Sequence, residues 1–211
     1  MTEFLKVKEY NRDTEKVNSI SHFVGTWFSI ILLFFFIKRQ VHYSFYLYAI
    51  FLFIMFLFSG LYHASPIGTK LRRVLRIIDH SDIYTCILGT YLPICLIGIE
   101  NTYVGHSLIL VEIICTIIGV LINSLNKENK ALKVIAYIVY IIGGWACIVT
   151  IPLGIQMKPG VFEFVLLGGI AYTVGAILYA IGKKCIWFHS VFHMFVLLGA
   201  LLQFIGISYL I

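Results

Sequence analysis

Charge is what this chain has least of. Of its 211 residues only 12% are Asp, Glu, Lys or Arg, while 60% are hydrophobic. Stretches of about 20 apolar residues recur along its whole length, which excludes a soluble globular domain. Cysteine is present but unorganised. Cys86, Cys95, Cys115, Cys147 and Cys185 lie within or at the edges of apolar segments and form no CxxC. Neither a disulfide framework nor a zinc ribbon is indicated, and buried free thiols are expected. A leader-type cleavage site is missing too: the first apolar run, Ser19 to Ile37, outlasts a signal-peptide core and is followed by Lys38 and Arg39. That run is expected to stay as a transmembrane helix. The chain also has no convincing short repeat, no low-complexity tract and no second domain.

What is present is a series of seven apolar spans, near 19–37, 44–63, 79–99, 105–123, 134–155, 161–181 and 186–208. Each is long enough to cross about 30 Å of hydrocarbon at 1.5 Å per residue. The fold class is therefore all-α, a polytopic seven-transmembrane-helix bundle, with 1–18 as a cytoplasmic N-terminal segment and 19–211 as the membrane domain. The formal net charge of +6 sits in short loops, where basic residues orient a membrane protein and meet anionic lipid. A nucleic-acid partner is rejected. With the N-terminus inside, the inner segments carry Lys6, Lys8, Arg12, Lys16, Lys70, Arg72, Arg73, Arg76, Lys127, Lys130, Lys133, Lys183 and Lys184, and the outer ones only Lys38, Arg39 and Lys158. Thirteen against three puts the N-terminus in the cytoplasm and the C-terminus outside. Pro93 and Pro152 are expected to kink the third and fifth spans. Small residues at Gly143, Gly144, Ala171, Gly175 and Ala180 suit close helix packing.

Within these spans an ionisable side chain is costly, and three histidines stand out. His189 and His193 are four residues apart, hence on one side of a helix. His63 ends another helix with Ser59 one turn behind it. The orientation derived from Lys and Arg alone puts all three at the cytoplasmic ends of their helices, where Asp79 opens the third span. Neutral imidazole is a good zinc ligand, and three protein ligands plus a water mark a catalytic rather than a structural site. Asp79 is placed to be a fourth ligand, or to hold and deprotonate the water, and Ser59 to assist an oxyanion or orient that water.

Plainer readings stand beside these. Asp79 could serve its helix dipole, neutralised by Arg76, and Ser59 could bond a backbone carbonyl. His22, His42, His80 and His106 lie at span ends, where an interfacial histidine needs no special role. Cys185 precedes His189 by four residues, but Gly182-Lys183-Lys184 reads as a turn.

The motifs are E-x-x-N-S-I-S-H at Glu15 to His22, S-G-L-Y-H at Ser59 to His63, and D-H-S-x-I-Y with G-T-Y-x-P from Asp79 to Pro93. They continue with Gly144-Trp145, G-G-x-x-Y-T-V-G-A-I-x-Y at Gly168 to Tyr179, and H-x-x-x-H-x-F-V-x-L-G at His189 to Gly199. In these motifs the chain resembles the hemolysin III family, the bacterial branch of the progestin and adipoQ receptor family that includes the adiponectin receptors. The resemblance implies a seven-helix bundle with a cytoplasmic N-terminus and a zinc ion held by His63, His189 and His193, with Asp79 and Ser59 around the zinc-bound water. It also implies kinship with ceramidase-type amide hydrolases, while the hemolysin name records a cell-lysis phenotype. The sequence departs from the usual pattern at Asp82, commonly small, at Ser190, commonly acidic, and at Gln203, often histidine.

Three functions follow as expectations. The first is a zinc-dependent hydrolase of a lipid amide or ester, with Zn²⁺ as cofactor and a membrane lipid as substrate. The second is a signal-transducing or membrane-homeostasis protein in which zinc staples the second and seventh helices. The third is a cytolysin or pore, ranked last because the spans show no repeated polar stripe and no amphipathic segment that could insert. The orientation has its own test. In a chain stripped of native thiols, a cysteine near Lys130 is expected to be shielded from an impermeant thiol reagent in intact cells, and one near Lys158 to react. The reverse pattern overturns the assignment.

Overall fold

The computed structural model describes residues 11–125, 129–181, 185 and 187–211. Lys6, Lys8, Lys127, Lys183 and Lys184 of the charge count lie outside them. Seven α-helices follow one another: α1 (Arg12–Arg39), α2 (Tyr43–Ala64), α3 (Lys70–Pro93), α4 (Thr102–Leu125), α5 (Lys130–Trp145), α6 (Val161–Ile181) and α7 (Phe188–Ser208). Among the described residues there is no β-strand, only an isolated bridge between Ile99 and Met157. Six of the helices are long and apolar enough to cross a membrane, and the fifth contributes the shorter apolar stretch Val134–Thr150. The chain is a multi-pass membrane protein.

Two helices begin earlier than hydropathy predicts, and local chemistry explains both. The Asn11 side chain accepts a hydrogen bond from the Thr14 amide at 2.9 Å, so α1 starts at Arg12. Thr69 caps α3 through the Arg72 amide at 3.2 Å, so residues assigned to a loop form its first turns. The prolines act as stops more than as kinks. α3 reaches Pro93 and passes into a π-helical turn, Ile94–Gly98. After α5 the chain tightens into a 3-10 helix, Ala146–Thr150, and Pro152 falls in the turn beyond it. Its ring would clash with the carbonyl four residues back in a continuing α-helix. All five cysteines are free, four of them buried and Cys185 half-buried.

Helices packed side by side run in the order α6, α7, α1, α2, α3, α4, α5. α7 therefore closes back on α1, and α5 and α6 are the two ends of this ring. Close approach needs the absence of a side chain at particular points. A Cβ at Gly60 would lie 2.9 Å from the Phe23 ring between α1 and α2, and one at Gly199 would lie 2.9 Å from Tyr172 between α6 and α7. Gly60 also lets its carbonyl accept the Ser19 hydroxyl at 3.1 Å. Tyr91 of α3 accepts the Cys147 amide at 2.8 Å, which pins the turn after α5.

The buried face of α1 is polar where a membrane helix usually packs apolar groups. Glu15, Asn18, His22, Thr26 and Ser29 succeed one another at helical spacing and are all buried. This stripe runs along one helix and starts before the apolar run at Ser19, so it is not a stripe repeated from span to span. Thr26 and Ser29 return their hydroxyls to the His22 and Gly25 carbonyls of their own helix, whereas Glu15 and His22 point to a different purpose. Overpacking a close helix contact costs about 1–3 kcal/mol. Gly199→Val should therefore lower the melting temperature in detergent, whereas Gly144→Ala, where an added Cβ meets nothing within 4 Å, should leave it unchanged.

Candidate metal centre

The C-terminal turn of α2 and the first turns of α7 bring three imidazoles together. His63, His189 and His193 are 3%, 7% and 1% exposed, so all three are removed from water. His189 Nε2 lies 3.3 Å from His63 Nε2 and 3.0 Å from His193 Nε2, and one ligand nitrogen from each converges within 4.8 Å. The expected i, i+4 pairing on α7 and the meeting with His63 are both present.

These donors fit a zinc ion. Around a tetrahedral zinc with Zn–N of about 2.0–2.1 Å, ligand nitrogens stand roughly 3.3–3.4 Å apart, close to the two separations here. Hydrogen bonding between the rings accounts for less. A neutral imidazole carries one N–H, so His189 Nε2 cannot donate fully to both neighbours. A bound cation uses all three lone pairs at once.

Asp79 and Ser59 meet each other beside this cluster. The Ser59 hydroxyl, buried on α2, is within hydrogen-bonding reach of the Asp79 carboxylate on α3. His80 Nδ1 lies 3.4 Å from Asp79 Oδ2. Among the described residues Asp79 stands outside the group of converging donors. Cys185 is likewise outside the group.

Sequence reasoning missed three participants. His22, assigned to the interface, is 4% exposed; its ring lies 3.9 Å from that of His193 and meets Phe56 edge-on at 5.1 Å. Glu15 Oε2 is 3.0 Å from His63 Nδ1. Arg72, counted among the orienting loop charges, is 1% exposed and reaches Glu15 Oε1 through Nη2 at 2.7 Å. Glu15 and His22 are seven residues apart on α1, two helical turns on one face. That spacing inside a motif already singled out was the available signal. Of the other three histidines His80 departs from its expected place at a span end, lying within α3 beside Asp79. His42 caps α2 through the Ser44 amide, while His80 and His106 are at least partly exposed. Of the departures, Asp82 and Ser190 are buried, and Gln203 lines a cavity.

Comparison with known proteins agrees with this architecture. A family described as "Haemolysin-III related" matches residues 10–204. The "Hemolysin-3 homolog" of Bacillus subtilis (strain 168) is 33% identical over 198 residues, covering 90% of this chain and 91% of the relative. "Hemolysin-3" of Bacillus cereus is 34% identical over 213 aligned residues, covering 97% and 91%.

Three ligands cannot spare one. Purified protein should carry about one zinc per chain by elemental analysis, and His63→Ala, His189→Ala and His193→Ala should each lose most of it. Full occupancy in a His189→Ala, His193→Ala double variant would end the assignment.

Proposed function

This chain belongs to the hemolysin III family, and from that footing we propose that it is a zinc-dependent hydrolase acting on a lipid amide or ester in the bacterial cell membrane. The observation that carries the reading is the convergence of three buried imidazole nitrogens at tetrahedral-zinc spacing. Zinc bound there would supply Lewis acidity toward a carbonyl and would lower the pKa of water to about 7.

The chain's own residues divide the remaining work. Asp79 lies beside the histidine cluster and outside its donor set, the position of a general base that takes a proton from water and returns it to the leaving group. Ser59 orients that carboxylate and is placed to donate to a developing oxyanion. The substrate class follows from surroundings. A cavity lined by Cys86, Thr90, Tyr91, Tyr140, Tyr172 and Gln203, among others, lies between α2, α3, α5, α6 and α7. Gln203 stands about 15 Å beyond His193 along α7 at 1.5 Å per residue. The histidines are not in the cavity's lining, and the lipid reading rests on depth: His63, His189 and His193 are buried in helices apolar enough to cross a membrane, where a membrane lipid is the molecule at hand. With the N-terminus in the cytoplasm, this reaction belongs to the inner leaflet.

One observation favours a second reading, a non-catalytic homeostasis or signalling protein. α2 and α7 both pack on α1, and the histidines bring the two together across it, as a structural staple would. A cytolytic activity ranks below both. The hemolysin names belong to the relatives, and the polar stripe found here runs along a single helix packed into the bundle.

Asp79→Asn separates hydrolase from staple. It should retain zinc and the parent melting temperature while cutting lipid-amide or ester hydrolysis by roughly 10² to 10⁴, the usual worth of a positioned acid-base group. Unchanged hydrolysis in the zinc-replete variant would remove Asp79 as base. No hydrolysis of any tested lipid by the parent would favour the staple.

A further inference from the structure

A histidine that ligates a metal through Nε2 needs its proton held on Nδ1, and the group accepting that proton sets both tautomer and ring orientation. At His63 this acceptor is Glu15 Oε2 at 3.0 Å, from a helix that carries none of the three histidines. His63 Nε2 then faces the His189 nitrogen. The other carboxylate oxygen, Oε1, is taken by Arg72 Nη2 at 2.7 Å.

The way Glu15 divides its oxygens distinguishes this from an ordinary structural ion pair. An arginine and a carboxylate left to themselves favour a two-pronged contact that uses both oxygens. Here the second prong is withdrawn. Arg72 Nη1 turns to the carbonyls at the end of α2, Ser65 at 2.7 Å and Tyr62 at 3.1 Å, and the guanidinium lies over the Tyr62 ring at 4.7 Å. Arg72 is thereby fixed to the same helix end that bears His63, and one oxygen of Glu15 is left for the imidazole. α1 supplies the carboxylate, α3 the guanidinium and α2 the ligand.

We propose that Glu15, held by Arg72, is the positioning residue of the metal centre, fixing His63 in the Nδ1–H tautomer so that Nε2 is presented to zinc. This rests on the zinc reading above and adds to it a determinant of metal affinity contributed by α1.

The test compares Glu15→Gln with the parent, both stripped of zinc in detergent and then titrated against a competing zinc chelator. Replacing such a partner typically lowers metal affinity 10- to 100-fold, and that loss is expected here in zinc-free protein that keeps the helical circular-dichroism spectrum of the parent. Nitrogen NMR of His63 should show Nδ1–H in the zinc-free parent and a mixture of tautomers in the variant. Should Glu15→Gln fail to fold, Glu15→Asp retains the charge, withdraws it by one methylene and should show the same loss. Parent-like zinc affinity in either folded variant overturns the positioning role alone, and failure of both to fold assigns Glu15 to folding and overturns it too. A parent that takes up no zinc overturns the metal reading together with this one.

Discussion

Inside a bilayer a polar side chain has no water to turn to, so each one brought into the bundle must find its partner within the protein. The end of the bundle at which α1 begins is organised around that constraint. Glu15, Arg72 and His63 are nearly buried, and each satisfies another. A lone carboxylate or guanidinium at this depth would be expelled, whereas Arg72 meets the Tyr62 carbonyl and Glu15, and Glu15 in turn meets His63. Removing any middle member strands its neighbours, so the group acts as one unit and not as a sum of pairs.

The same constraint gives the ring of helices its polarity. Polar groups from α1, α2, α3 and α7 gather at one end, and from there to the opposite end the interior is filled by Phe56, Val196, Leu52, Phe45 and Phe36, among others. A cavity lined from α2, α3, α5, α6 and α7 lies where the ring's two ends meet. Trp145 donates to the Thr173 hydroxyl across that seam at 3.2 Å.

Hydropathy made the spans legible because lipid-facing surface dominates such helices, and the three histidines were legible because imidazole is conspicuous in an apolar run. Glu15, Arg72 and His22 were hidden for a related reason. Counting charges near span ends treats every arginine as a loop residue facing water, yet Arg72 lies within α3 and is buried. α1 starts seven residues before its apolar run because Asn11 caps it and because its polar side faces protein. The fifth span, read as 134–155, loses its α-helical form after Trp145. Proline's effect on the preceding turns was anticipated as a bend, where the chain adopts a 3-10 helix and a turn.

The long first helix has one more consequence. Glu15 and His22 ride on an unbroken rod of 28 residues, so their directions are not set independently. In an α-helix each residue advances the side chains by about 100°. Adding or deleting a single residue between His22 and Ser29, with the rest of α1 beyond Ser29 held by its packing, would swing both groups off the site together while leaving hydropathy and length almost untouched. The first helix is thus keyed: the angular setting of one rod, more than its depth, decides whether Glu15 reaches His63 and His22 reaches His193.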